Sequence, residues 1–347
     1  MHAFLFTLID GLSIVAAIAL TLIAAALVMV ASAEPKAAQS EDVFGFESLQ
    51  AAPAASLPAV QRYAARDGEP LAFRFYDSTA SQVLIFVHGS SYHGASYHAL
   101  AAHLSQRGIA RVVLPNLRGH YLSGTRRGDV DYLGQFEDDL ADLITHLRNR
   151  GESGPIVLGG HSSGGGLVIR FAGGAHAALV ARFLALSPAI AGSRSLKADS
   201  GWASLHLRRI IGLALLNLFG VRGFNALPVI AFNKPARFRD GTETLAYSYR
   251  LNGAYHPRGR YDRDVAKLGA QAAVLVGAND EAIDATLLGE LIARASPHTY
   301  FAVLPDIDHF GVFTREPAMA AVAAWLDTPP DDDGGTQRVA ASSAIVV

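Results

Sequence analysis

Short apolar runs recur through the middle and end of the chain, at Val83–Val87, Val112–Leu114, Ile156–Leu158, Phe183–Leu186, Ala273–Val276 and Tyr300–Leu304. Runs this short, set between turn residues, predict buried strands rather than helices. Upstream, Leu71, Phe73 and Phe75 alternate with other residues and predict a half-buried strand. Helical spacing lies between the runs. Leu100, Ala101 and Leu104 form one stripe that stops at Gly108, and Phe136, Leu140, Leu143, Ile144 and Leu147 form another that stops at Gly151. Leu287, Leu288, Leu291 and Ile292 form a third, and Pro317 can open a last helix carrying Val322, Trp325 and Leu326. Strands alternating with helices predict an α/β fold, a mostly parallel sheet with helices on both faces.

Four stretches break this rhythm. About eighty residues separate the run ending at Leu186 from the one starting at Ala273, too many for a simple crossover. Residues 191–264 therefore read as an inserted lid. Its segment Leu205–Phe219, apolar on most sides and broken by Arg208 and Arg209 near its start, would shape an acyl pocket, touch a membrane or form plain lid core. At the N-terminus no residue from Gly11 to Ala33 is charged. Residues 1–33 thus read as a transmembrane anchor or a signal segment, with Ala31-Ser32-Ala33 as an A-x-A cleavage site if the chain is exported. The length of the run, with no Lys or Arg before it, favours a single membrane anchor. Residues 34–58, rich in Ala, Ser and Pro, read as a linker to a domain over 59–328, and the acidic, then small and polar, residues 329–347 read as a flexible tail.

Composition narrows the chemistry. Half of the 347 residues are hydrophobic and the net charge is −2, so nothing draws the chain to nucleic acid. It has no cysteine, which excludes disulfides, a thiol nucleophile and thiolate metal ligands. His88, His93, His98 and His103 recur every five residues, a spacing that puts no pair on one helical face, so no metal site is expected.

The strongest chemical signal is Gly160-His161-Ser162-Ser163-Gly164, a G-x-S-x-G match directly after the run Ile156–Leu158 and before the helical stretch Leu167–Ala172. Strand, sharp turn and helix are the context in which this motif lifts a serine above a sheet. Ser162 is the candidate nucleophile, and the amide of Ser163 can donate to an oxyanion. His88-Gly89-Ser90-Ser91 follows Val83–Val87, and its Ser90 amide is the second candidate donor. A serine needs a base to take its proton and an acid to orient that base. After such an elbow the acid precedes the histidine along the chain. Asp280, four residues past Val276, and His309, just past Leu304, fit that order; Asp284 and Asp308 are lesser candidates for the acid.

The run from Val87-His88-Gly89 to Leu114-Pro115-Asn116-Leu117-Arg118-Gly119-His120, together with Gly160–Gly164, Asp280-Glu281 and Asp308–Phe313, resembles the lysophospholipase and monoacylglycerol-lipase branch of the α/β-hydrolases. The resemblance covers roughly residues 60–190 and 265–327. Asn116 stands where the branch often has Asp, and Tyr121 where Gly is common. The resemblance implies the α/β-hydrolase fold with an eight-stranded sheet, and hydrolysis of carboxylic esters without a cofactor. The apolar lid and N-terminus point to a lipid-like ester. Thioester, amide or C–C substrates for the same triad, or a non-catalytic membrane-tethered binding module of this fold, are the alternatives.

Overall fold

The computed structural model describes residues 2–32, 43–49, 56–197 and 200–328. A long helix, α1 (His2–Val30), opens the chain. The main body follows as β1 (Val60–Ala64), β2 (Pro70–Tyr76), β3 (Val83–Val87), α2 (His98–Gln106), β4 (Arg111–Pro115), α3 (Gln135–Asn149), β5 (Ile156–His161), α4 (Ser163–Ala172) and β6 (Arg182–Leu186). An insertion then supplies β7 (Ala203–Leu205), α5 (Leu207–Leu218), β8 (Pro228–Phe232), β9 (Ala246–Ser248), α6 (Tyr249–Tyr255) and α7 (Tyr261–Val265). The body resumes with β10 (Ala272–Gly277), α8 (Ala285–Ala295), β11 (Tyr300–Leu304), α9 (Gly311–Thr314) and α10 (Glu316–Asp327).

The body is built on an eight-stranded sheet in the order β1-β2-β4-β3-β5-β6-β10-β11. β1 and β2 run antiparallel to their neighbours, and the strands from β4 to β11 pair in parallel. β3, β5, β6 and β10 are buried along their whole length. That is why each reads as an unbroken apolar run instead of an alternation: helices cover both faces of a parallel sheet. α2 packs with α9 and α10, while α3 packs with α6 of the insertion and α4 with both α6 and α7.

The expected strands and helices lie where the apolar pattern put them, and α10 opens with Pro317 in its first turn. Three features differ from expectation. β1 was not foreseen, because this edge strand turns only Tyr63 inward among Val60, Gln61, Arg62 and Ala64. The insertion has a small antiparallel sheet of its own, β7-β8-β9. The linker expected over 34–58 is corrected within residues 43–49. Val43, Phe44 and Phe46 are buried and belong to the main core, because three large apolar side chains sit within a stretch whose average composition is small and polar. The rest of that linker, apart from 56–58, and the tail 329–347 lie outside the described residues.

Candidate active site

Ser162 stands between the last residue of β5 and the first of α4, with φ 55° and ψ −120°. A residue with a side chain seldom adopts this conformation, which costs on the order of 1–3 kcal/mol. Three backbone bonds hold it. Its N–H donates to Leu186 O at 3.0 Å, and its carbonyl accepts from the amides of Gly166 at 3.0 Å and Ala189 at 2.9 Å. The flanking glycines are sterically required. A Cβ on Gly160 would lie 2.5 Å from the carbonyl oxygen of Gly164, and one on Gly164 would lie 2.5 Å from that of Val87. The strand and helix can therefore close to this angle only with glycine two residues on either side of Ser162.

The ends of β10 and β11 bring Asp280 and His309 together. Nδ1 of His309 lies 2.9 and 3.0 Å from the two carboxylate oxygens of Asp280, in position to donate to them. The carboxylate also accepts from the amides of Ala282 at 2.9 Å and Ile283 at 2.8 Å. Burial pushes this carboxyl up, but His309 and the Ile283 amide outweigh that effect and hold it down at about 2. Asp280 is thus an anion throughout the neutral range. The backbone N–H of His309 donates to Glu281 Oε2 at 2.9 Å. The other two carboxylates are engaged elsewhere: Asp284 Oδ1 accepts from Leu287 N–H at 2.9 Å and caps α8, and Asp308 Oδ1 accepts from Gly311 N–H at 2.5 Å.

Ser162 and His309 line one cleft with Phe44, Gly89, Ser90, Tyr92, His161, Trp202 and Phe310. Ser90 and Ser163 meet across it through their hydroxyls, 2.8 Å apart. Among the described residues no hydrogen-bond acceptor takes the amide of either, and Ser163 is the first residue of α4, where a helix presents free N–H groups and positive potential. The cleft encloses about 10 Å³, room for roughly one water molecule.

Several residues of the site were not singled out from the sequence. Gly89 N–H donates to Tyr97 Oη at 2.9 Å, Tyr97 lies 3.0 Å from His161 Nδ1, and His161 Nε2 lies 2.9 Å from the carbonyl oxygen of His309. The carbonyl can only accept, so Nε2 carries the proton and Nδ1 accepts from Tyr97. Burial, then the neighbouring His309, push the His161 imidazole well below its ordinary range and keep it neutral. The chain Gly89–Tyr97–His161–His309 thereby joins the loop after β3 to the loop after β11. The second group is aromatic. Phe44 stacks on the His309 ring at 5.0 Å and 19°, and touches Trp202 at 5.4 Å and Phe310 at 5.2 Å. Tyr92 stacks on Trp202 at 6.2 Å.

Other expected features lie away from the cleft. None of Leu205–Phe219 lines it; the insertion contributes Trp202 instead. Asn116 and Arg118 brace loops: Asn116 Oδ1 accepts from Gly94 N–H at 2.9 Å, and Arg118 forks onto Asp139 at 2.7 and 2.9 Å.

Comparison with known proteins adds the following. The family model described as serine aminopeptidase, S33, matches residues 78–220. The monoglyceride lipase of Saccharomyces cerevisiae, solved as a soluble variant with a substrate analogue, superposes with a TM-score of 0.60 at 18% identity, over 80% of this chain and 96% of that one. The monoacylglycerol lipase of Paleococcus ferrophilus gives 0.54 at 18% identity, over 74% and 98%. A membrane phospholipase A described as a bacterial virulence factor gives 0.54 at 15% identity, over 94% and 98%. A search of curated proteins by sequence gives no match. At these identities the solved structures establish a common fold.

Proposed function

We propose that this chain, a serine hydrolase of the α/β-hydrolase superfamily, cleaves carboxylic esters by acyl transfer through Ser162, His309 and Asp280. The observation that carries the reading is the two-oxygen contact of Asp280 with His309 Nδ1, in a cleft shared with a strained Ser162. With Nδ1–H held by the anion, Nε2 of His309 is left as the base. It takes the Ser162 proton as Oγ adds to the ester carbonyl. It returns that proton to the alkoxide leaving group, and an acyl-enzyme remains. Nε2 then deprotonates a water that adds to the acyl carbon, and the proton goes back to Ser162 Oγ as the acid departs. The Ser90 and Ser163 amides receive the oxyanion in both halves, each worth about 3 kcal/mol of barrier.

A lipid-like ester is the substrate class this reading favours, supported by the aromatic walls Phe44, Tyr92, Trp202 and Phe310 and by α1. Gly11–Val30 has a mean hydropathy of 2.7 and is 11% buried, and we read it as a retained anchor. Arg209 supports retention over cleavage near Ala33: it donates to the carbonyls of Val30 at 3.1 Å and Ser32 at 2.5 Å, acceptors a cleaved chain would lose. The catalytic unit is then residues 59–328 together with the strap 43–49.

A fluorophosphonate probe tests the chemistry and a series of p-nitrophenyl esters beside lipid monoesters tests the substrate. Labelling at Ser162, with turnover rising towards longer acyl chains, is expected. An unlabelled protein with no esterase activity would refute the hydrolase reading, and a preference for acetate over longer chains would refute the lipid assignment.

A further inference from the structure

We propose that α5 lies in the membrane–water interface with its outer face among the acyl chains, so that the site takes its ester from the leaflet in which α1 ends. The proposal rests on the reading of α1 as an anchor. Arg209, Gly212, Leu213 and Leu216 form the buried face of α5. Opposite them Leu207, Ile211, Ala214 and Leu218 are exposed. Their spacing of four, three and four residues makes a single stripe along the helix. Leu207, Ile211 and Leu218 are 61%, 50% and 81% exposed, and Leu205, Phe219 and Phe224 extend the patch. Single exposed leucines are ordinary on a soluble surface, but a continuous stripe marks an interaction surface. Among the described residues outside α1, six large apolar side chains are exposed within residues 205–224, as many as over all the rest.

The inner face of α5 identifies the occupant of the outer one. It packs on the last turns of α1, where Ala26 and Val30 are buried with Leu213, Leu216 and Val229, and Ile23 packs against them. The two helices approach closely because position 212 is glycine: a Cβ there would lie 2.7 Å from the carbonyl oxygen of Ala26. Arg209 and His206 fasten the joint, Arg209 through the carbonyls of Val30, the last residue of α1, and of Ser32 just beyond it, and His206 Nε2 through Ser32 Oγ at 3.3 Å. Gly11–Val30 at about 1.5 Å per residue is roughly 30 Å long, the thickness of the hydrocarbon core. Ala26 and Val30 then fall in the last 10 Å or so of the span, and α5 lies beside them at the boundary of headgroups and acyl chains. An amphipathic helix at that depth buries its apolar face there while basic residues reach the phosphates. Arg208 and Arg222, both exposed, flank the stripe. Trp202, a wall of the cleft, stands five residues before the helix, so one short segment connects the stripe to the site.

The absence of native cysteine makes the test direct. Leu218→Cys, Ile211→Cys, Ile18→Cys in α1 and Arg150→Cys at the exposed end of α3 are each labelled with an environment-sensitive fluorophore. The full chain is then reconstituted in phosphatidylcholine vesicles with and without acyl-chain spin labels. Labels at 218 and 211 are expected to shift blue and to be quenched like that at 18, while the label at 150 is not. Quenching at 18 with labels at 218 and 211 in water overturns this proposal and leaves the anchor intact. A blue shift at 218 without lipid quenching means a protein covers the stripe, and also overturns it. No quenching at 18 refutes the anchor itself, and the proposal with it. Leu218→Asp should lower hydrolysis of monoacylglycerol in these vesicles about tenfold and leave p-nitrophenyl acetate unchanged; equal rates on the lipid would refute supply from the leaflet.

Discussion

The sheet and the insertion are held together in different ways. The sheet's central strands are buried on both faces and fixed by ladders to their neighbours. The loops beyond β5, β10 and β11 therefore present Ser162, Asp280 and His309 from rigid bases. The insertion has three-residue strands at β7 and β9. Its one long helix packs against α1, far away in sequence, and its Trp202 meets the site beside Tyr92 and beside Phe44 of a short strap. The proposed chemistry thus sits on loops of the sheet, and access to it on parts that contact α1 and the segment following it. The narrow cleft fits that division, since the walls contributed by Phe44 and Trp202 are not part of the sheet.

If the division holds, changes on the sheet side should strike the chemical step. Ser162→Ala should lower kcat on p-nitrophenyl esters by about 10⁶, the precedent in another triad enzyme, with the fold intact by circular dichroism. Wild-type activity should survive EDTA. Residual activity well above background in the purified variant would place the nucleophile elsewhere.

Asp280→Asn should come next, at about 10⁴ in kcat by precedent, because the imidazole loses the anion that fixes its tautomer. The same residue leaves a mark on stability. Its carboxyl titrates at about 2 in the folded protein, below the roughly 3.9 of an unfolded chain. The carboxylate therefore adds stability above about pH 4, and this is lost as pH falls through 2. The size is on the order of 2 kcal/mol. Denaturant titrations at pH 3 and pH 6 should differ less in Asp280→Asn than in the wild type. An unchanged difference would mean that another carboxylate carries the acid sensitivity.

On the access side the effects should be smaller and should depend on substrate. Phe44→Ala removes the ring that covers His309 and should lower kcat/KM for p-nitrophenyl butyrate about tenfold. Phe44→Leu, which keeps most of the apolar cover, should lose less than half of that in free-energy terms. A chain beginning at Ala59 lacks the strap altogether and should behave like Phe44→Ala. Wild-type kinetics in both would show the strap to be a bystander.

The same contrast explains what could be read in advance. The strands of the sheet and the three candidate residues beyond them were legible because each strand is a local apolar run and each candidate lies in the loop that follows one. The elbow glycines were legible because they flank the serine within one pentapeptide, although the carbonyl oxygen that Gly164 must clear belongs to the distant Val87. β1 was hidden, since an edge strand with one inward side chain has no apolar run. The strap was hidden because Phe44 and Phe46 are isolated within an Ala-, Ser- and Pro-rich stretch, and their partners Trp202, Phe238 and Phe310 are distant in sequence. The Gly89–Tyr97–His161–His309 chain was hidden for the same reason: its last link spans 148 residues. No periodicity announces a hydrogen bond between residues so far apart.

The smallest expected effect separates two aspartates that stand four residues apart. Asp284 takes the Leu287 amide at the start of α8 and makes no contact with His309. Its carboxylate is an N-cap, so Asp284→Ala should cost about 1 kcal/mol of stability. For a domain of this size that is a fall of roughly 2–4 °C in Tm. Asp284→Asn should cost less, because an amide oxygen caps nearly as well. Neither should change kcat on a soluble ester at a temperature where both remain folded. The two measurements diagnose the role together: a cap loses Tm with Ala and keeps it with Asn, whereas a triad acid loses kcat with both. If Asp284→Asn kept its Tm but lost its turnover, the orienting acid would be Asp284, and the contact between Asp280 and His309 would be a structural bond beside the site.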